Sequence, residues 1–279
     1  MAAHAFLIAN DTFEDEQIQA LRFPKNDIAR LGEVLTTKSI ADFKVKPIYN
    51  KRHFEVPHEI ATELESVARD DTLLVYYAGH GLIGRNGNLH LAAQDTIKKH
   101  IATTAVSVNK LLDLMQESNC KKRILILDCC HSGAVGSGVE LRGAVDSTLG
   151  AASKSHGTYI LTASTGLQTA AEREEDGHGL LTKYLIEGLQ TGNAARPGSM
   201  TITADDLYNY VHARVVGSGS QEPLRWAIGV GGEIVLANGQ CETRRGKARD
   251  RAQALRGTAA RQGDHARRLR ECGQRSALH

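Results

Sequence analysis

The stretch LLVYYAGHG, residues 73–81, and the stretch RILILDCCHSG, residues 123–133, decide the fold of this chain. Each is a short apolar run that passes directly into a polar, glycine-ended segment, as a buried strand does when it enters a loop. Similar apolar runs occupy 5–9 and 158–164. Because amphipathic segments separate these runs, the sequence predicts an α/β fold with a mostly parallel central sheet covered by helices on both faces.

The remaining elements follow from hydrophobic periodicity. Apolar residues recur at helical intervals in five segments, 21–35, 57–69, 107–117, 179–190 and 203–215. Two more apolar runs predict strands at 43–49 and 231–237. The alternation continues to residue 237, which predicts that one domain extends over most of the chain.

Composition excludes several classes of protein. The chain has 279 residues, of which 41% are hydrophobic and 24% charged, and no apolar run is long enough to span a bilayer. The N-terminus lacks the basic start of a secretory signal, so we expect no such leader. The five cysteines form no C-x-x-C pair, which predicts no disulfide framework, no structural zinc and a reducing, cytoplasmic compartment.

Charge is distributed unevenly along the chain. Residues 240–279 contain 11 Lys and Arg against 4 Asp and Glu, a net charge of +7, whereas residues 1–239 carry a net charge of −5. Hydrophobic periodicity also ends near residue 239. We therefore predict a folded body over 1–239 and a basic, disordered tail over 240–279. Two interpretations of the tail stay open, a solvated extension or an arm for nucleic acid or an acidic partner.

A histidine and a cysteine follow two of the predicted central strands. Ligands bind beyond the carboxyl ends of the strands in open α/β sheets, so His80 and Cys130 should face one another there. An imidazole can take the proton of a thiol and later protonate a leaving amine. The backbone N–H groups of Gly81 and Cys130 are candidate donors to the oxyanion. His131 is a poorer base, since neighbours on an extended segment diverge.

The strings YYAGHG (76–81) and LDCCHSG (127–133) resemble the two active-site motifs of the caspase-like cysteine peptidases. The resemblance is closest to the metacaspase and bacterial orthocaspase branch, whose nucleophile string reads Asp-x-Cys-His-Ser-Gly. It covers residues 4–238 through further strings, LHLAAQD (89–95), TASTGLQTAAE (162–172), GLLTKYLIEGL (179–189), ITADDLYNYV (202–211) and QEPLRWAIG (221–229). It implies a caspase-like three-layer αβα sandwich.

The resemblance also implies roles for the motif residues and an internal division of the domain. Cys130 would be the nucleophile and His80 the general acid and base, with Cys129 at the variable position before the nucleophile. The domain would comprise a large-subunit-like half over about 1–141, a processing linker over about 142–157 and a small-subunit-like half over about 158–239.

Acidic residues line the first specificity pocket of metacaspases and select Arg or Lys, whereas arginines line that of animal caspases and select Asp. Asp128 lies two residues before Cys130, so both side chains should share a face of the strand. The resemblance places Asp27 at a second pocket position and Glu172 at a third. Asp27 also has a simpler interpretation as a carboxylate at a helix N-terminus, and Asp128 as a polar residue ending a strand. We predict cleavage after Arg first and Lys second.

The segment after the nucleophile is rich in Gly, Ser and Ala over residues 134–157. A flexible segment of this kind tolerates cleavage, so Arg142 and Lys154 are candidate self-cleavage sites, as is the Arg-rich tail. Some metacaspases bind calcium through clustered acidic residues. Asp95 stands alone here, so no calcium site can be mapped, although activation by calcium stays open, and the sequence predicts no other metal and no cofactor.

The leading hypothesis is therefore a cysteine endopeptidase that acts on protein or peptide substrates, as a regulated effector in a bacterial stress, defence or cell-death pathway with an upstream activator protein. One alternative is a catalytically silent caspase-like scaffold whose tail alone would bind nucleic acid or an acidic partner. Another is a different thiol hydrolase, an amidase or transpeptidase, on the same architecture. No membrane association is predicted.

Overall fold

A computed structural model describes residues 1–131, 141–151, 157–163, 177–218 and 222–239 of the chain. The predicted tail at 240–279 lies outside these residues, as do Lys154 and Glu172. Among the described residues, no helix combines the length and apolarity needed to cross a bilayer.

The centre of the domain is a sheet whose main strands run in the order β2-β1-β3-β6-β7-β9. The first five are parallel to one another, and β9 is antiparallel to β7. Two short strands, β4 and β5, extend the sheet beside the end of β3. The bounds of these strands are β1 Ala3–Ala9, β2 Phe43–Tyr49, β3 Thr72–Ile83, β4 Leu89–Leu91, β5 Val106–Ser107, β6 Lys122–His131, β7 Thr158–Thr162 and β9 Leu224–Ile228.

Helices cover both faces of this sheet. One core contains residues of α1, α6 and α7, and the other contains residues of α2, α4 and α5. A short 3₁₀ helix, Lys98–His100, leads into the single turn α3. The helix bounds are α1 Pro24–Thr36, α2 Glu55–Leu64, α3 Ile101–Thr104, α4 Val108–Glu117, α5 Leu141–Ala151, α6 Leu180–Thr191 and α7 Ala204–Gly217. The architecture is the predicted three-layer αβα sandwich with a mostly parallel sheet.

Strand β3 illustrates why the sequence folds this way. Leu74, Tyr76 and Ala78 point into one core, whereas Leu73 and Val75 point into the other. Because both faces of a central parallel strand are covered, its sequence is continuously apolar rather than alternating. The strand continues as far as Ile83 because β4 pairs with its last three residues, beyond the predicted end at residue 81.

Three further differences from the sequence prediction concern whole elements. Helix α2 ends at Leu64, five residues earlier than predicted. The strand predicted at 231–237 is β10, Val235–Asn238, which pairs with β8, Thr201–Thr203, in a separate two-stranded sheet.

The third difference concerns the segment expected to be a flexible linker. Residues 141–151 form helix α5, in which Ala144, Val145 and Thr148 are buried. The hydroxyl of Thr148 accepts the Leu89 N–H at 3.0 Å. The segment 141–151 is therefore a helix, and its apolar face packs against the core on the α4 side of the sheet. The Gly, Ser and Ala content of the segment gave no indication of this apolar face.

Candidate active site

Strand register brings the two catalytic candidates to the same level of the sheet. His80 on β3 is the direct partner of Cys130 on β6. Adjacent strands lie about 4.8 Å apart, so the backbones of these two residues are neighbours in the sheet. The two motifs, 50 residues apart in sequence, thus meet near the carboxyl ends of two central strands.

The imidazole of His80 is held by a main-chain carbonyl and an aromatic ring. Its Nε2 lies 2.7 Å from the carbonyl oxygen of Gln19, and the ring centroid of Phe13 lies 5.3 Å from its own. A carbonyl oxygen only accepts hydrogen bonds, so Nε2 carries the proton in this contact. Nδ1 is therefore the nitrogen through which His80 can exchange a proton with a thiol.

The main chain around His80 is also fixed. The buried Tyr77 hydroxyl contacts the carbonyl oxygens of His80 at 3.1 Å and Ala92 at 2.8 Å. A methyl group on Gly79 would lie only 2.4 Å from that hydroxyl oxygen, and one on Gly81 would lie 3.1 Å from Cys129 Sγ. Glycines on both sides of His80 thus let the strand pass between buried side chains. Cys129 packs in the core on the α4 side of the sheet, consistent with a structural role.

Asp27 and Asp128 face the same small volume beside Gly179. A methyl group on Gly179 would stand 2.8 Å from Asp128 Oδ2 and 3.3 Å from Asp27 Oδ2. Asp27 belongs to the first turn of α1, Asp128 to β6, and Gly179 precedes α6. Three elements that are distant in sequence therefore build one acidic pocket.

The carboxylate of Asp128 is fixed by a chain of hydroxyl groups. The Thr182 hydroxyl donates to Asp128 Oδ2 at 2.5 Å, and the Thr182 N–H lies 3.3 Å from the same oxygen. The hydroxyl of Tyr76 lies 2.5 Å from Thr182 Oγ1. Burial and the nearby Asp27 carboxylate raise the pKa of Asp128 to about 7, because a second buried negative charge is unfavourable there.

Asp27 has its own partners. His178 Nδ1 lies 2.9 Å from Asp27 Oδ1, and the Gly179 N–H lies 3.2 Å and 3.3 Å from the two carboxylate oxygens. Burial raises the pKa of Asp27, and the hydrogen bond from His178 partly opposes that rise. A carboxylate that only favoured the α1 dipole would need no contacts with the start of α6, so these contacts support a role in the pocket.

Several residues of this site carried no signal in the sequence. Gln19 acts through its carbonyl oxygen, which every residue type has. Tyr76 belongs to an ordinary strand sequence and Thr182 to an ordinary helix sequence, and only the folded chain brings them to the two carboxylates. His178 immediately precedes the helix N-cap Gly179, and its contact with Asp27 also exists only in the folded chain.

The other predicted positions are placed as follows. Arg142, a candidate self-cleavage residue, lies in the first turn of α5. The second candidate, Lys154, and the third pocket residue, Glu172, both lie outside the described residues. Asp95 accepts hydrogen bonds from the His53 N–H and Nδ1, both at 2.8 Å. Within the described part of the chain, no group of three or more His, Cys, Asp or Glu side chains could hold a metal ion.

A profile of the caspase domain matches residues 2–229, most of the chain and both motif strands. The chain belongs to the caspase-domain family. The caspase domain marks it as a cysteine peptidase of the hydrolase class, and no curated protein gives a significant match in sequence.

Solved structures show the same caspase fold at low sequence identity. Caspase-1 from Spodoptera frugiperda is 16% identical, with a TM-score of 0.56 over 86% of this chain and 91% of that one. The structure of pro-sf-caspase-1 is also 16% identical, with a TM-score of 0.59 over 84% and 90%. A protein from Geobacter sulfurreducens is 14% identical, with a TM-score of 0.54 over 82% and 94%.

Proposed function

We propose that this caspase-domain protein is an endopeptidase of the metacaspase or orthocaspase kind that cleaves after Arg, and more slowly after Lys. The observation that carries the proposal is the pair of carboxylates, Asp27 and Asp128, around Gly179. A planar guanidinium can engage two carboxylates through parallel hydrogen bonds, and a lysine ammonium does so less completely. An aspartate side chain would be repelled there.

The reaction proceeds through an acyl-enzyme. His80 Nδ1 takes the proton of the Cys130 thiol, and the thiolate attacks the carbonyl carbon of the basic residue. The N–H groups of Gly81 and Cys130 donate to the oxyanion. His80 then gives its proton to the leaving amine, and the C–N bond breaks. Water, deprotonated by His80, attacks the thioester and releases the acid with the thiol restored.

The Gln19 carbonyl has a defined part in this mechanism. It holds the Nε2–H of His80, so the imidazole keeps one orientation as Nδ1 gains and loses a proton. It also stabilises the imidazolium that forms when the thiol ionises. Because the contact is a main-chain one, no single side-chain change at position 19 removes it.

A panel of fluorogenic peptides tests the function. The peptides carry Arg, Lys or Asp before the scissile bond and are offered with and without calcium. We expect Arg to exceed Lys, with no cleavage after Asp. Preferential cleavage after Asp would contradict the assignment of the pocket.

The adjacent cysteines provide a matched pair of variants. Cys130→Ala should abolish turnover, whereas Cys129→Ala should retain it, because Cys129 packs in the core behind Gly81. The opposite result would show that the nucleophile is misassigned by one residue. Wild-type protein that stays full length while cutting an Arg peptide would show that self-cleavage at Arg142 or Lys154 is not required.

We further propose that the peptidase is a regulated effector, switched on by an upstream activator in a bacterial stress, defence or cell-death pathway. Support for this role comes from the metacaspase-like motifs alone. The basic residues of 240–279 favour one second candidate, a scaffold that grips nucleic acid or an acidic partner. A Cys130→Ala protein that preserves the cellular phenotype would favour the scaffold over the peptidase.

A further inference from the structure

A basic cleft lies beyond His80 along the same strand. Its volume is about 770 Å³, and it is formed by the end of β3 with its following turn and by the 3₁₀ helix with α3. Its lining includes Ile83, Arg85, Lys98, Lys99, His100 and Ile101. The side chains of Arg85, Lys99 and His100 are exposed, so their charge is available to a ligand.

Acidic side chains do little to neutralise this cleft. The ten residues that line it, all within the described part of the chain, include no Asp or Glu. The nearby Asp15 accepts the Lys98 N–H at 2.8 Å and the Gln17 N–H at 2.9 Å. These two backbone hydrogen bonds lower the pKa of Asp15, with smaller contributions from the charges of Lys98 and Lys99. One partly exposed carboxylate thus lies beside a larger number of cationic groups.

A second polar feature lies next to Gly84, one of the residues that line the cleft. His90 is only 5% exposed, and neither of its ring nitrogens has a hydrogen-bond partner among the described residues. Its Nε2 would lie 3.1 Å from a methyl group on Gly84, a residue that lines the cleft. Buried polar groups are normally paired, so an unpaired imidazole beside this turn is consistent with a polar ligand that completes it.

Strand register fixes the order of pocket, catalytic pair and cleft. Asp128 is opposite Ala78, Cys130 is opposite His80, and Ile83 follows His80 by three residues on β3. At about 3.3 Å per residue, the cleft begins about 10 Å beyond the catalytic level, on the side away from the pocket. An extended substrate spans that distance in about three residues after the scissile bond.

We propose that the basic cleft binds acidic side chains of the protein substrate, about three to five residues after the cleaved bond. The inference rests on the proposed function, because it uses the pocket to orient the substrate. The substrate class would then be Arg-containing segments followed, after a short spacer, by Asp or Glu. Charge complementarity of this kind acts on the affinity and association rate of the substrate more than on the chemical step.

A binding measurement tests the cleft without requiring turnover. Fluorescein-labelled peptides with Arg followed by two spacer residues and Asp-Glu-Asp, or by Asn-Gln-Asn, are titrated into the Cys130→Ala protein at low salt. We expect the acidic peptide to bind about fivefold more tightly, the size of one or two solvent-exposed ion pairs. Added salt should remove the difference, since exposed charges are screened. Equal affinities would overturn the proposal.

Charge-reversal variants locate the effect. R85E/K99E in the Cys130→Ala background should lose the preference for Asp-Glu-Asp and gain one for Lys-Arg-Lys at the same positions. The matched control K38E/K44E reverses two exposed lysines elsewhere and should keep the original preference. An equal loss of preference in both variants would indicate a general charge effect and overturn the proposal. Displacement of the labelled peptide by an oligonucleotide, but not by the unlabelled peptide Asp-Glu-Asp, would overturn it as well.

Kinetics of the active enzyme separate this proposal from the proposed function. R85E/K99E should raise KM for the acidic peptide about fivefold and leave its kcat unchanged. The kinetic constants for the neutral Arg peptide should not change. If wild type cuts no Arg peptide while the binding preference and its reversal persist, the proposed peptidase fails and the basic cleft stands. If Arg peptides are cut with no effect of distal acids in either assay, the cleft fails alone.

Discussion

Gly179 lies against the carboxylates of Asp27 and Asp128, where there is no room for a side chain. Its backbone has φ −59° and ψ 143°, a conformation that alanine adopts readily. A larger residue would not fit at this position, because its methyl group would contact both carboxylates. Substitution here therefore changes the pocket without straining the main chain.

Gly179→Ala should lower kcat/KM for an Arg peptide by at least about tenfold, because a charge-assisted hydrogen bond lost to the displaced carboxylate costs about 1.5–3 kcal/mol. The rate of Cys130 alkylation by iodoacetamide should not change. Gly143→Ala is the control, since nothing lies within 4 Å of its added methyl group. An unaffected kcat/KM in Gly179→Ala would exclude this pocket as the Arg site.

The raised pKa of Asp128 makes binding of a guanidinium depend on pH. With a pKa of about 7, Asp128 is largely protonated at pH 6 and largely ionised at pH 8. Calorimetry with agmatine and the Cys130→Ala protein should therefore show affinity rising over this range. Adding Asp128→Asn should weaken binding and remove most of that rise. A pH dependence that survives Asp128→Asn would assign it to another group.

The same carboxyl affects stability. Its pKa is raised in the folded state from 3.8 to about 7, so the native protein holds a proton that the unfolded chain releases between these values. The contribution of Asp128 to stability therefore falls as pH rises through that window. Asp128→Asn should raise Tm by about 2–4 °C at pH 8 and by less at pH 5. A larger gain at pH 5 in thermal unfolding would contradict the assigned direction.

At the scale of elements, the first residues of helices α6 and α7 have different roles. Helix α7 begins with a capping box, in which the Asp206 N–H donates to Thr203 Oγ1 at 3.1 Å and the Thr203 N–H donates to Asp206 Oδ2 at 3.0 Å. Both residues are buried. Helix α6, by contrast, begins at the turn that contacts Asp27, so its start serves the site.

Thr203→Ala should lower the free energy of unfolding by about 1–2 kcal/mol, because the Asp206 N–H loses its acceptor in a buried position. Urea denaturation measures the change. Thr203→Ser keeps the hydroxyl and should recover most of the loss, while kcat/KM for an Arg peptide should be unchanged in both. No difference between alanine and serine would mean that the cap contributes nothing.

Helix α5 also bears on self-cleavage. Peptidases act on extended segments, so cleavage at Arg142 requires the first turn of α5 to unwind. The Trp226 indole N–H donates to Asp146 at 2.9 Å and ties this helix to β9. The sequence suggested an open linker here, and the structure has the helix α5 instead.

At the scale of the whole molecule, charge is segregated between residues 1–239, with a net −5, and residues 240–279, with a net +7. If the basic tail binds nucleic acid, a chain of 1–239 should retain cleavage of Arg peptides and lose the salt-dependent binding expected of the full chain. Anisotropy with a labelled oligonucleotide at several salt concentrations checks this. Equal binding of the oligonucleotide by both chains would show that residues 240–279 do not carry nucleic-acid binding.

The amino-acid sequence by itself determined the layered α/β fold, because apolar periodicity is a local property that records which faces are buried. It also determined the pairing of His80 with Cys130, since both motifs follow central strands. Only the tertiary structure decided that Asp27, Asp128 and the start of α6 form one pocket, that a carbonyl of Gln19 holds the imidazole, and that 141–151 is helical. These features depend on contacts between segments far apart in sequence, whose geometry and altered pKa values exist only once the chain has folded.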